Sequence, residues 1–239
     1  MSTSVSPDNA FATLPLIWLV FTLGAFLFGT WLNRIFGGST LVSPVLIAIT
    51  LVICALCTFD LDYSVYLREG GGLVAALLGP ATVALAVPLY NNARHVRQAI
   101  LPLTCAVAVG GITAAGSAFG LAWLLGAPDA VLSSIAVKSV TAPIAIGIAE
   151  EIGGVASLAA AFAVLTGVAG TMLSGWLLRR AGIRSWAAQG LATGVTAHGQ
   201  GTARMLALDE TAGAFASVGM GLNALFTAIW LPAVVALLR

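Results

Sequence analysis

The chain has 239 residues, of which 59% are hydrophobic and 8% charged, with a formal net charge of +1. A soluble globular domain carries roughly 25% charge, so this composition excludes a fully solvated surface and points to lipid as the solvent. Ten Lys/Arg set against nine Asp/Glu form no basic stripe, which excludes nucleic-acid binding as an electrostatic task.

Residues 1–13 are polar and carry only Asp8. They lack the positive n-region and cleavage site of a secretory signal. They read as a short exposed tail ahead of a single transmembrane domain over 14–239. A helix needs about 20 apolar residues to cross a hydrocarbon core of roughly 30 Å. Charge-free runs of that kind occupy residues 14–32, 41–59, 73–90, 99–127, 152–178 and 211–238. The second run holds Cys54-x-x-Cys57, which has no second pair and, like Cys105, reads as small packing residues and not as a metal or disulfide framework. Gly79-Pro80 and Pro88 interrupt the third. Within the fourth, Gly116-x-x-x-Gly120 lets two helices approach closely. Trp18, Trp31, Trp123, Trp176 and Trp230 lie in or at the ends of runs, as interfacial anchors.

Two further stretches are apolar at first, broken by Pro or Gly, and end in charge: residues 139–154 and 187–210. Pro143 removes a backbone donor and disfavours helix at Ala142. Gly199 and Gly201 weaken a helix through them. Broken backbone at membrane depth survives only where protein or a water-filled cavity covers it. The fold class expected is therefore an all-α integral membrane protein with about six full transmembrane helices and two re-entrant or broken segments; seven or eight crossings is the fallback. Placing Arg34, the Arg94/Arg97 loop and the Arg179/Arg180/Arg184 loop in the cytoplasm puts the N-terminus outside.

The broken segments resemble each other. Val140-Thr141-Ala142 matches Val195-Thr196-Ala197, and Glu150-Glu151 matches Asp209-Glu210 after four extra residues. Gly154 then aligns with Ala214, and Ala156-Ser157 with Ala216-Ser217. One segment dipping from each side makes an inverted-topology repeat, a common carrier plan. Residues 79–90 are a weaker third echo.

Ionisable groups near the membrane interior are costly and so are candidates for function. The densest polar cluster is His198-Gly-Gln-Gly-Thr202-Ala-Arg204. Gly199 and Gly201 let backbone N–H groups approach a ligand, and a helix starting near Thr202 aims its positive end at an anion. Arg204 suits a carboxylate with two hydrogen bonds, and His198 suits a coupled proton. Thr141 and Pro143 free backbone groups in the first segment for a solute or ion. Glu150, Glu151, His198 and Asp209 are the proton-coupling candidates. The bland alternatives are a headgroup-touching loop for the His/Arg cluster, a satisfied proline kink, and solvated acids at helix ends. No hydrolase constellation, Walker A or dinucleotide fingerprint occurs, so neither an enzyme nor a cofactor is expected. With two histidines, a His-based metal site is not expected either.

At these motifs the sequence resembles the LrgB/CidB family of antiholin-like bacterial membrane proteins. The residues that carry the resemblance are Gly79-Pro80 through Pro88-Leu-Tyr90, Lys138-Ser-Val-Thr-Ala-Pro143, Glu151-Ile-Gly-Gly154, Leu165-Thr-Gly167, His198-Gly-Gln-Gly-Thr-Ala-Arg204 and Leu208-Asp-Glu-Thr-Ala-Gly-Ala-Phe215. They cover nearly the whole chain after the tail. Two departures touch the candidate site: Gln200 between the glycines, where the family commonly has Ile or a similar residue, and Ala142 where it often has Thr. The resemblance implies a multi-pass protein of the bacterial inner membrane with a small LrgA/CidA-type holin-like partner. It also implies a part in controlling murein hydrolase export and lysis, or movement of small monocarboxylates such as glycolate, glycerate or pyruvate, as in the related plastidal glycolate/glycerate translocator.

The leading expectation is a monocarboxylate carrier or carrier subunit, with proton coupling. Its site is Thr141, Pro143, His198, Gly199, Gly201, Thr202 and Arg204. The alternative is an antiholin-like regulator of murein hydrolase activity. So small a chain encloses little cavity, which points to a homo-oligomer.

Overall fold

The computed structural model describes residues 16–37, 42–77, 80, 83, 84 and 86–238. Every regular element among them is helical. The tail at residues 1–13 lies outside them, as does part of the run 73–90 and of the echo within it. The chain divides into two compact units, residues 1–84 and 85–239.

The first unit is built on α1 (Ile17–Ile35) and α2 (Pro44–Thr58). Ser43 caps α2 through its hydroxyl, and Pro44 occupies the first turn, where its missing N–H costs nothing. Gly29 lets α1 approach Pro44 so closely that a Cβ there would stand 2.8 Å from the proline carbonyl oxygen. The chain then bends by 117° into α3 (Tyr63–Tyr66), a π-type turn (Leu67–Gly71) and α4 (Gly72–Ala76). Gly70, at φ 122°, makes the turn that packs against Leu19. Trp18 is buried there, edge-on to Tyr66.

The second unit carries α5 (Ala86–Asn91), α6 (Ala93–Gln98), α7 (Ile100–Leu124), α8 (Asp129–Ala136), α9 (Ala142–Glu151), α10 (Ala156–Arg180), α11 (Trp186–Leu208) and α12 (Glu210–Leu238). Three helix ends close with the same hydrogen-bond pair, in which Ala127, Gly154 and Ile183 donate back to Ala122, Ala149 and Leu178. Gly126, Gly153 and Gly182 supply the left-handed residue each closure needs.

α8 and α9 form a helical hairpin. Ser134, in the last turn of α8, accepts from the Val155 N–H at 2.8 Å and donates to the Ala130 carbonyl. Ser133 donates to the Ile152 carbonyl. The open end thus joins residues 133–134 to 152–155, and the tip is residues 137–141. Val137, Val140, Ala145 and Ala149 pack with Ala159, Ala163 and Ala224 in the main core cluster. The hairpin starts earlier than sequence predicts: eight residues of α8 are too few to show a clear apolar stripe. Pro143 does not break a helix. It sits in the first turn of α9, which begins at Ala142 after all, because no intrahelical partner is needed there.

α11 is a hairpin too. Gly190 meets the backbone of Ala212, while Leu206 meets Gly213. In a straight helix residues 190 and 206 would be about 24 Å apart; here both touch the start of α12. The reversal is at His198, with φ 40° and ψ −126°. Residues 186–197 and 199–208 are its two arms. A Cβ at Gly201 would meet the Thr193 carbonyl across them at 2.7 Å. The helix expected near Thr202 therefore starts at residue 199.

Hairpin one rejoins the chain at the N-terminal end of α10, and hairpin two leaves from its C-terminal end. The tips approach each other alongside α10 from opposite ends. α1, α7, α10 and α12 are long and apolar enough to cross a membrane, and the bent pair Pro44–Thr58 and Tyr63–Ala76 makes five if it is one span. Of the six runs read from sequence, the second is a helix of 15 residues. The third is represented by the short helices α4 and α5 on either side of Gly79-Pro80.

Candidate functional site

The tips meet at Asn223 on α12. Its side-chain N–H2 donates to the Ser139 carbonyl at 2.9 Å and to the Val195 carbonyl at 3.3 Å. Both acceptors are products of broken backbone. Ser139 lies in the turn of hairpin one, and the Val195 carbonyl is the one a straight helix would give to residue 199. Asn223 is 1% exposed, and its Oδ1 has no partner among the described residues. Gly110 and Gly111 of α7 lie against Val195 and Asn223, where a side chain would collide with Oδ1.

His198 is buried at the second tip, and its Nε2 lies 2.9 Å from the Ala163 carbonyl of α10. A non-glycine residue at that φ and ψ is strained by about 1–3 kcal/mol, and such strain persists only where the surroundings impose it. Here Gly167 leaves just enough room: a Cβ on it would stand 2.8 Å from the imidazole Cε1. Lys138, at the first tip, donates to the Ser139 hydroxyl at 3.2 Å and is within electrostatic reach of His198.

The residues singled out in the sequence are distributed unevenly over this arrangement. Thr141 is at the first tip, in the N-cap position of α9 with no side-chain cap bond, and Pro143 follows it on the exposed side. Gly199 has open space where a side chain would project, whereas Gly201 is consumed by packing between the arms. Thr202 is fully buried against Met220, at 3.8 Å from its sulfur. Arg204 is half-buried, roughly 9 Å beyond His198 along its arm, and close to Arg179 at the far end of α10. Glu150 and Glu151 are exposed at the open end of hairpin one, roughly 13 Å along α9 from Thr141. The Asp209 carboxylate accepts from the Ala212 N–H at 2.9 Å, capping α12. Among the described residues nothing lies against the Cβ positions of Gly116 and Gly120, so the close-packing motif is not used among them.

Sequence reasoning missed Lys138 and Asn223 as members of the site. The available signal for Asn223 was an amide alone in the middle of the last apolar run. For Lys138 it was a lysine just ahead of the first broken segment.

Two cavities lie alongside the hairpins. One, of about 440 Å³, lies along hairpin one and includes Gly116, Phe119, Asp129, Leu132 and Trp230. The other, of about 320 Å³, lies between α10 and the first arm of hairpin two and includes Thr166, Gly170, Ser174, Thr193 and Thr196.

The model of the LrgB-like family matches residues 22–237. The chain is 35% identical over 224 residues to the uncharacterized protein YxaC of Bacillus subtilis, covering 94% of this chain and 96% of that one. It is 31% identical over 197 residues to the holin-like protein CidB of Staphylococcus epidermidis, covering 82% and 86% respectively. It is 34% identical over 185 residues to the uncharacterized protein YwbG of Bacillus subtilis, covering 77% and 82%. No solved structure matches the chain.

Proposed function

Because this multi-pass membrane protein belongs to the LrgB-like family, we propose that it works as the large component of a holin-like system in a bacterial inner membrane. In that role it restrains or releases murein hydrolase activity together with a small LrgA/CidA-type partner. The observation that carries this reading is the similarity to proteins named holin-like CidB, over more than four-fifths of each chain.

The hairpin tips favour a second reading, compatible with the first: the chain carries a small monocarboxylate such as glycolate, glycerate or pyruvate. Two broken elements with polar tips, held together beside a strained histidine and each with a cavity alongside its arms, suit a gated solute path. On this reading the hairpins are an inverted pair, dipping from opposite sides, and His198 is the proton-coupling candidate. Arg204 beside Arg179 gathers anions at the mouth. Gly116 and Gly120 form the open contact face of a homo-oligomer.

The deciding experiment is uptake of radiolabelled pyruvate, glycolate and glycerate into proteoliposomes, paired with a lysis assay in cells with and without the small partner. Saturable uptake supports the carrier. Partner-dependent lysis without flux leaves the regulatory role alone. With Arg204→Gln, KM is expected to rise about tenfold, with the maximal rate little changed, because a mouth charge acts on capture; complete loss of uptake would instead put Arg204 at the binding centre. The inverted arrangement predicts that cysteines placed at positions 127 and 182, in a chain stripped of its three native cysteines, are labelled from opposite sides. Labelling of both from one side would overturn it.

A further inference from the structure

Lys138 is the only lysine in the chain; the other nine basic residues are arginines. It stands at the tip of hairpin one, partly buried, between Val137 and Ser139, which are 0% and 7% exposed. Its one polar contact among the described residues is the neutral Ser139 hydroxyl, and no carboxylate pairs with it there. The acids singled out in the sequence are elsewhere: Glu150 and Glu151 at the open end of the hairpin, and Asp209 capping α12. An ammonium taken out of water without a counter-charge is costly. A protein that keeps one at the meeting point of two broken helices has left its neutralisation to something that comes and goes.

The geometry points to Lys138 as the residue that binds the carboxylate of a small organic anion between the two hairpin tips. This inference rests on the carrier reading above and moves the anion's central partner from Arg204 to Lys138. Three further features suit it. α9, ten residues long, begins at the same tip without a side-chain cap, so the N–H groups of Ala142 and Ile144, on either side of Pro143, are available to an anion. Gly199, facing open space at the other tip, leaves room. Asn223 donates to the Ser139 carbonyl, next to Lys138, and to the Val195 carbonyl, so it sets the separation of the two tips. Lysine suits the task where arginine would not: a compact charge on a flexible stem can follow a carboxylate as the tips part, whereas a planar guanidinium holds one bidentate geometry.

The test uses the full-length purified protein and its single ε-amine. Reductive methylation with formaldehyde is followed by peptide mass spectrometry, which separates Lys138 from the N-terminal amine. Sodium glycolate is the probe, with sodium chloride at equal ionic strength and ethylene glycol as controls. Methylation of Lys138 is expected to slow about tenfold at glycolate ten times its half-protecting concentration, because labelling follows the free fraction. In parallel, Lys138→Gln should abolish glycolate uptake and Lys138→Arg should retain part of it. Protection together with uptake supports both the site and the carrier. Protection without uptake keeps the Lys138 site and removes the carrier. Uptake without protection, or with Lys138→Gln as active as wild type, keeps the carrier and overturns Lys138. Neither overturns both. A Lys138 that fails to react in the free protein also counts against the assignment, because a ligand site must admit a molecule as small as formaldehyde.

Discussion

Replacing Asn223 by alanine is expected to destabilise the second unit by about 2–4 kcal/mol, the penalty for leaving two buried carbonyls without donors. Asn223 is the donor shared by Ser139 and Val195, residues 84 and 28 positions away in sequence. Both carbonyls point into a region closed by α7 and α12, where burial hinders water from replacing the amide. Asn223→Asp should be worse than alanine, because a carboxylate has no N–H and its charge faces both oxygens. The measurement is the thermal midpoint in detergent, followed by tryptophan fluorescence, together with crosslinking between cysteines placed at positions 139 and 195. The expected result is a lower midpoint and a slower crosslink. If Asn223→Ala melts and crosslinks like wild type, apolar packing alone holds the tips together.

The second large effect is at His198, where stability and function should separate. His198→Gly loses the bond to the Ala163 carbonyl, about 1 kcal/mol, but gains a residue at home at φ 40° and ψ −126°. His198→Ala loses the same bond and keeps the strain. Glycine should therefore be the more stable variant by about 1–2 kcal/mol, the reverse of the order in a helix interior, where alanine wins. If the imidazole carries a proton with the solute, uptake by both variants should lose its dependence on the proton gradient. A more stable alanine variant would show that residue 198 is not held in this turn. Unchanged pH dependence in both would leave His198 a structural element of the tip.

Much of this arrangement was legible in the residues. Pro143, Gly199 and Gly201 mark the two segments in which the backbone reverses. The details ran differently. In sequence Pro143 reads as a breaker, whereas in the structure it starts a helix, because a proline's effect depends on whether its N–H would have had a partner. Glu150 and Asp209 looked alike in sequence, yet Asp209 caps a helix and Glu150 faces outward. What the sequence could not supply was the junction itself. Asn223 is an ordinary amide until two carbonyls from distant segments converge on it. Lys138 reads as a loop residue until α8 proves long enough to carry it inward. Arg204 drew attention through its neighbours in the motif, but an arm of helix separates it from the turn.

Each hairpin has both ends at one end of α10, and this bears on timescale. No covalent strand ties either tip to the opposite end, so a tip can withdraw and return without unwinding a long helix or threading chain past its neighbours. Such a movement releases the contacts of Asn223 and His198 and, in hairpin one, unpacks Val137 and Val140 from the main core cluster. Collective motions that leave helices intact fall in the microsecond-to-millisecond range, so on the carrier reading opening need not limit turnover, whereas rebuilding a helix through the whole unit would.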